Sequence, residues 1–244
     1  MATWPRRAFG RTLPLVCWSA LALHGSLLLP AHASLGTADF LLSRDRWPAL
    51  MAQLTAADAS WTPRAERIPG VGIRYRYRQD DDAPPLSIDQ VKALMRHPPN
   101  FASEKRAIAA LLSGLSHAGV RVALGPPRLQ GAAAEWDPRA RVVRVRPDVP
   151  TRGSLVFARV LNHEAIHVAQ SCRARASLRP GSQLLGLGGS LDASARRALS
   201  GPLYSQASAA VRALEIEAYS NQRQLDLGVQ LVFRHCRPQH ALPV

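Results

Sequence analysis

Two histidines four residues apart, His163 and His167, constrain the fold more than any other feature of this chain. They lie in a run from Gly153 to Arg173 that we predict to be a buried helix. Residues four apart occupy the same helix face, one turn above the other. Both imidazoles therefore point the same way and can hold one zinc ion from adjacent positions. Glu164 follows the first histidine, where it can reach a water on the metal as a general base without being a ligand itself.

A third metal ligand must come from elsewhere, because two histidines rarely hold a catalytic zinc alone. We predict a long helix over residues 204–227 that carries two acids, Glu215 and Glu217. One of these carboxylates, on a helix packed against the histidine helix, would complete a His₂Glu site with one position open for water. The two lie about 200° apart around the helix axis, so only one can face the metal. Helix geometry alone leaves both open.

The two segments together resemble the gluzincin metallopeptidases, in which an H-E-x-x-H helix is followed by a helix with the pattern E-x-x-A-D or E-x-x-A-N. The residues that carry the resemblance are His163, Glu164, His167, Glu215 and Ala218. It covers roughly residues 141–236 and implies that Glu215, three residues before Ala218, is the third ligand of one zinc ion per chain. Tyr219 departs from the pattern, since the family usually has at this position an Asp or Asn that orients a histidine. The stretch 163–170 is also similar to small bacterial zincin-like domains.

The resemblance implies an α+β fold of the zincin type. In such a fold a small antiparallel or mixed sheet packs against the H-E-x-x-H helix and a C-terminal helix carries the third ligand; here extra helices would precede the sheet. The implied activity is that of a zinc metallopeptidase-like hydrolase, which cleaves peptide bonds of a peptide or protein substrate with Glu164 as the general base. Two alternatives stay open: an amidase acting on cell-wall peptides, and a non-catalytic zinc-binding protein whose basic surface binds an anionic cell-envelope polymer.

The first 33 residues are predicted to be a secretory signal peptide. Three arginines precede an apolar run over residues 13–29, and Ala31–His32–Ala33 has the small residues of a cleavage site. The apolar run is 17 residues long, which is short for a membrane span. We therefore expect a secreted or periplasmic protein that keeps no stable membrane anchor after cleavage.

Residues 34–244 are predicted to form a single domain, with an N-terminal helical elaboration over 34–118 and a metal-site core over 119–244. A chain of this length suits one domain. Export makes a disulfide between Cys172 and Cys236 plausible, because they are the two cysteines that remain after the signal peptide and would tie the histidine helix to the C-terminal helical region. Two buried free thiols are the alternative.

The chain is strongly basic, with a formal net charge of +14. Removing residues 1–33, which hold three arginines and no acid, leaves +11. A charge of this size favours anionic partners such as acidic envelope polymers or anionic lipid headgroups. No nucleic-acid partner is predicted, because the sequence has no basic patch interleaved with aromatic residues and no nucleic-acid motif.

Alternation of apolar residues with arginines predicts the strands. Residues 71–78 are predicted to form one half-buried strand, with Val71 and Ile73 on its buried side. Residues 120–124 form another, and residues 132–136 and 141–146 form a hairpin. The second strand of that hairpin would present Arg144 and Arg146 on one face. In the zincin fold the edge strand before the metal helix pairs with an extended peptide. Asn162, just before the motif, is predicted to be a polar group on the helix surface.

Overall fold

The fold was analysed in a computed structural model that describes residues 39–80 and 83–237, so the predicted signal peptide lies outside the described residues. These residues form an α+β fold with a small mixed sheet and several helices, as predicted. The helices of the described part are α1 (Trp47–Asp58), α2 (Ile88–Arg96), α3 (Ala102–His117), α4 (Ser154–Ala176), α5 (Ala193–Ser200), α6 (Ala209–Asn221) and α7 (Leu227–His235). Its strands are β1 (Phe40–Leu41), β2 (Arg64–Ile68), β3 (Gly72–Arg76), β4 (Arg121–Leu124), β5 (Ala134–Asp137) and β6 (Val142–Val145).

The main sheet has four strands in the order β1–β4–β6–β5. β4 and β6 are parallel, with Val122 opposite Val143, whereas β1 pairs antiparallel with β4 and β5 pairs antiparallel with β6. The predicted hairpin is confirmed: Asp137 ends β5, and its carboxylate accepts the backbone N–H groups of Arg139 and Ala140 in the turn. β5 is therefore the edge strand on one side of the sheet.

Helix α4 packs between the sheet and the helices α3 and α7. Its apolar residues recur every three or four positions, which places them on one face of the helix. That face is fully buried in the main core and consists of Phe157, Leu161, Ala165 and Val168. The histidine pair lies on another face of the same helix. The position of the metal motif is therefore fixed by the burial of a rigid helix rather than by a loop.

The expectation that Arg144 lies on an arginine-bearing face of the sheet is wrong. β6 is an inner strand, and Arg144 is only 4 % exposed. Its guanidinium pairs with Asp39, just before β1, and with Asp137 of β5. Because a buried charge needs a partner of opposite sign, the sequence supplies one carboxylate from each side of the strand.

The segment before residue 119 contributes to the same sheet and core as the segment that follows it. β1 forms the edge of the sheet beside β4, and α3 packs directly on α4. Asp58, at the end of α1, accepts both the backbone N–H and the hydroxyl of Ser154, and so caps the first turn of α4. Gly153 precedes that turn with φ +95°, and a Cβ there would lie 2.8 Å from the Asp58 carboxylate.

The predicted strand over 71–78 forms, but it is not half-buried. β3 covers Gly72–Arg76 and pairs only with β2, in a separate two-stranded ribbon. Val71 is 79 % exposed and Ile73 is 59 % exposed. The alternation in this segment therefore reflects the two faces of a hairpin, neither of which is covered by the described core.

The single long helix predicted over 204–227 is wrong. A short 3₁₀ turn ends at Tyr204, and the chain then forms α6 and α7 with a break at residues 222–226. Asn162 explains the break and is itself buried, not on the surface of α4 as predicted. Its side-chain amide donates to the carbonyls of Gln222 and Gln224, and its oxygen accepts the N–H of Gly228.

Cys172 and Cys236 lie at disulfide distance, with their Cα atoms 5.1 Å apart. The bridge joins the last turns of α4 to the residue that follows α7.

No helix within residues 39–80 and 83–237 is long and apolar enough to cross a lipid bilayer.

Candidate metal centre

The side chains of His163, His167 and Glu215 converge at one point between α4 and α6. The two imidazole Nε2 atoms lie 3.0 Å apart. One carboxylate oxygen of Glu215 is 3.3 Å from Nε2 of His163, and the other is 3.4 Å from Nε2 of His167. One potential ligand atom from each residue lies within 4.8 Å of the others. Two imidazoles and one carboxylate are a donor set that suits zinc with one position left open.

Glu217, the other acid on α6, is turned away from this point. It is 6 % exposed, and its carboxylate accepts the backbone N–H groups of Leu185, Gly186 and Leu187 as well as the side-chain amide of Gln170. The carboxylate of Glu217 therefore holds residues 185–187, in the glycine-rich connection between α4 and α5, against α4 and α6. Of the two acids left open by helix geometry, the structure brings only Glu215 to the histidines.

Gln170 is a site residue that the sequence reasoning missed. Its side-chain amide nitrogen donates to Glu217, so its oxygen faces the Nδ1 atom of His167 at 2.7 Å. An amide oxygen only accepts, and Nδ1 must therefore carry the proton. In the neutral imidazole, the form that binds a metal, the lone pair of His167 is then on Nε2, the atom that faces Glu215 and His163. The sequence spacing could have indicated this contact, because Gln170 follows His167 by three residues and therefore lies on the same helix face.

His163 is oriented differently from His167. Its Nδ1 atom is buried and has no hydrogen-bond partner among the described residues. The ring of Tyr219 packs edge-on against the imidazole, with centroids 4.5 Å apart, where the resembled family has a carboxylate or amide. The tyrosine therefore positions His163 by packing alone.

Tyr204 holds the carboxylate of Glu215. Its hydroxyl donates to Oε2 of Glu215 at 3.0 Å and lies 3.5 Å from the hydroxyl of Tyr219. Burial and the negative charge of Glu215 raise the pKa of Tyr204 far above its ordinary value, so the phenol stays protonated as a donor.

Glu164 lies beside the histidines and is 5 % exposed. Burial is the largest influence on its pKa; the positive charges of His163 and His167 and a hydrogen bond from the backbone N–H of Trp136 oppose it, and the net result is a raised pKa. A carboxylate with a raised pKa is better suited to accept and return a proton near neutral pH. The edge strand β5 thus contacts the predicted base through its main chain.

His167 and Glu215 stabilise each other's charged forms. Burial lowers the pKa of His167, but the hydrogen bond and charge of Glu215 outweigh it and raise the pKa to about 9. Burial likewise raises the pKa of Glu215, and its contacts with the two imidazoles bring it well below the ordinary value. The negative charge of Glu215 is thus balanced by a proton on the imidazoles, and a bound cation would take the place of that proton.

An open cleft gives access to these residues. It consists of two cavities, of about 210 and 400 Å³, that share His163, Glu164 and Tyr204 in their linings. Ala134 of the edge strand lines both. Trp136 and Leu214 add apolar surface on one side of the shared residues.

The far side of the larger cavity is formed partly by α5, which Asp192 holds in place. The carboxylate of Asp192 accepts the backbone N–H of Ala195 at the start of α5 and pairs with Arg223, which also pairs with Asp80. Burial raises the pKa of Asp192, but these contacts and the Ser194 hydroxyl together lower it to about 2. The wall of the cleft is therefore tied to a network of charged groups.

Searches with models of protein families, among curated proteins and among solved structures found no match to this chain. The chemistry inferred for the site therefore rests on its own geometry.

Proposed function

We propose that this protein is a zinc-dependent hydrolase of peptide bonds, with His163, His167 and Glu215 as the metal ligands. The observation that carries the proposal is the convergence of these three ligating groups beside a buried carboxylate, Glu164, in an open cleft. Zinc in this site would supply a Lewis acid for the scissile carbonyl and would lower the pKa of the attacking water. The His₂Glu donor set favours zinc over the hard cations, which prefer oxygen ligands alone.

Glu164 is proposed to act as the general base. Its carboxylate takes a proton from the attacking water as the water oxygen bonds to the carbonyl carbon. It then gives this proton to the amine nitrogen as the C–N bond breaks. The raised pKa of Glu164 suits both steps, because the group must hold the proton between them.

The edge strand β5 is proposed to orient an extended peptide. β5 pairs with β6 on one side only, and residues 132–136 run along the cleft. An extended peptide can add to such an edge through main-chain hydrogen bonds, with alternate side chains entering pockets. The two cavities, which share His163 and Glu164 in their linings, would then take side chains of the bound peptide.

A non-catalytic zinc-binding role is the second candidate. The observation that favours it is the lack of a hydrogen-bond partner for the Nδ1 atom of His163 in the described part of the chain. Partners of this kind orient metal-bound histidines, and their loss commonly weakens metal binding or activity. In this role the protein would bind the predicted anionic envelope polymer, and the predicted signal peptide would export it to the compartment that holds this polymer.

Metal content and a single conservative substitution separate the two roles. The purified protein, reconstituted with zinc and dialysed, is expected to hold one zinc per chain by mass spectrometry, and His163→Ala and Glu215→Ala are expected to hold none. Glu164→Gln should keep its zinc. It should also lower the cleavage rate of a peptide library by about a hundredfold or more, because it removes the base without removing a ligand.

The outcomes are distinct. No zinc in the unsubstituted protein after reconstitution would refute both roles. Zinc binding without any cleavage, unchanged in Glu164→Gln, would refute the hydrolase and retain the binding protein. Equal cleavage by the two proteins would contradict the role assigned to Glu164.

A further inference from the structure

A third cavity, which we call the basic pocket, lies where the end of α4 meets the end of α7. It has a volume of about 500 Å³, and its lining includes three arginines and one histidine, Arg141, Arg175, Arg237 and His235. Cys172 also lines it, so the link between Cys172 and Cys236 brings the two chain segments of the pocket together. No acidic residue is among the described residues that line it.

Arg141 is the most firmly held of these cations. It lies in the turn before β6 with φ +52°, an uncommon left-handed conformation for a residue with a side chain. Its guanidinium donates to the backbone carbonyls of Gly119 and Ala118, which use two of its five N–H groups. Burial and the charge of Arg175 lower the pKa of Arg141, so this cation is desolvated beside a like charge.

The other cations of the pocket are not neutralised either. Arg175 donates to the carbonyl of Pro138, and within residues 39–80 and 83–237 neither it nor Arg237 has a carboxylate partner. Burial and the charges of Arg234 and Arg173 lower the pKa of His235.

Several other arginines among the described residues are paired with acids. Arg144 pairs with two aspartates, and Arg159 and Arg223 share Asp80. The basic pocket departs from this pattern. Because clustered like charges repel one another, a cluster without acids lowers its energy when it binds an anion.

We propose that the basic pocket binds a phosphate group, either free inorganic phosphate or the headgroup of an anionic phospholipid. The planar guanidinium offers paired N–H donors that match the oxygens of a phosphate. Arg141 provides a fixed donor at the inner wall, and Arg175 and Arg237 are exposed cations at the rim. The proposal is independent of whether the metal centre is catalytic.

Titration calorimetry with sodium phosphate at low ionic strength tests the site on the protein with its disulfide intact. One phosphate per chain is expected, and Arg175→Gln is expected to weaken binding about tenfold or more, since a hydrogen bond to a charged group is lost. Arg175 is exposed, so its substitution should not prevent folding. Arg96→Gln, an exposed arginine at the end of α2, is the matched control and should leave the affinity unchanged.

Flotation with vesicles distinguishes the two sources of phosphate. Vesicles of phosphatidylcholine are compared with vesicles that also contain phosphatidylglycerol. Binding only to the anionic vesicles, lost in Arg175→Gln and not in Arg96→Gln, supports a headgroup ligand; saturable binding of inorganic phosphate without vesicle binding supports the free ion. The proposal is overturned if neither ligand binds, or if Arg96→Gln weakens binding as much as Arg175→Gln.

Discussion

Replacing Glu217 with alanine should destabilise the protein without removing a metal ligand. The carboxylate accepts four N–H groups, from the side chain of Gln170 and from the backbone of residues 185–187. A hydrogen bond to a charged group contributes about 1.5–3 kcal/mol when measured singly. The four bonds are not additive, and water can reach the backbone of the released loop, so we expect the free energy of unfolding to fall by about 2–4 kcal/mol. The buried amide of Gln170 accounts for part of the loss, because it is left without its acceptor.

Urea unfolding followed by circular dichroism, in the presence of a chelator, measures this change. Glu215→Ala is the matched control: it removes the same side chain two residues away on the same helix. Within the described part of the chain, Glu215 accepts a hydrogen bond from a hydroxyl and contacts two imidazoles but accepts none from a backbone amide. Its loss should therefore cost less, about 1–2 kcal/mol, while abolishing zinc binding. Hydrogen exchange at residues 185–187 should accelerate only in Glu217→Ala. The reasoning is refuted if Glu217→Ala is no more destabilising than Glu215→Ala, or if its loop amides keep their protection.

Two further predictions concern groups that do not contact the proposed metal site directly. Gln170→Leu should weaken zinc affinity about 10- to 100-fold in a chelator competition, because it removes the acceptor that fixes the proton of His167 on Nδ1. The control is Gln53→Leu, on the exposed side of α1. An unchanged affinity in Gln170→Leu would contradict the role assigned to Gln170. The folded-state pKa of Asp192, about 2, lies below its ordinary 3.8, so ionised Asp192 stabilises the fold above pH 3.8 and loses this effect as the pH falls toward 2. The difference in unfolding free energy between the unsubstituted protein and Asp192→Asn should thus shrink from about 2 kcal/mol at pH 6 toward zero at pH 2. A difference independent of pH would count against the proposed charge network.

The parts of the site that could be predicted from the sequence depend on local geometry. His163 and His167 share a helix face because of their spacing, and α4 extends from Ser154 to Ala176 around them. The placement of Glu215 with them needed more than spacing, because helix periodicity does not distinguish it from Glu217. The structure distinguishes the two acids because the backbone amides of the loop at 185–187 bind the carboxylate of Glu217 and not that of Glu215.

The parts that could not be predicted depend on contacts between distant segments. The break between α6 and α7 has no proline or glycine at residues 222–226 to signal it. It is stabilised by Asn162, some sixty residues earlier, which binds the carbonyls that the break exposes. In the same way, the sequence pattern predicts that Arg144 lies on the surface. It is buried because Asp39, before β1, and Asp137, in β5, both pair with its guanidinium.

The departure at Tyr219 has a structural consequence that the motif alone could not reveal. Tyrosine is large enough to pack against the ring of His163, but among the residues that the structure describes the Nδ1 atom then has no acceptor. The other histidine, His167, is held by a chain of hydrogen bonds that runs through Gln170 and Glu217 to the loop amides. The orientation of one ligand is thus set by hydrogen bonds and that of the other by packing. Since hydrogen bonds fix a proton as well as an orientation, the structure leaves Nε2 of neutral His167 free for the proposed metal, whereas it specifies only the ring position of His163.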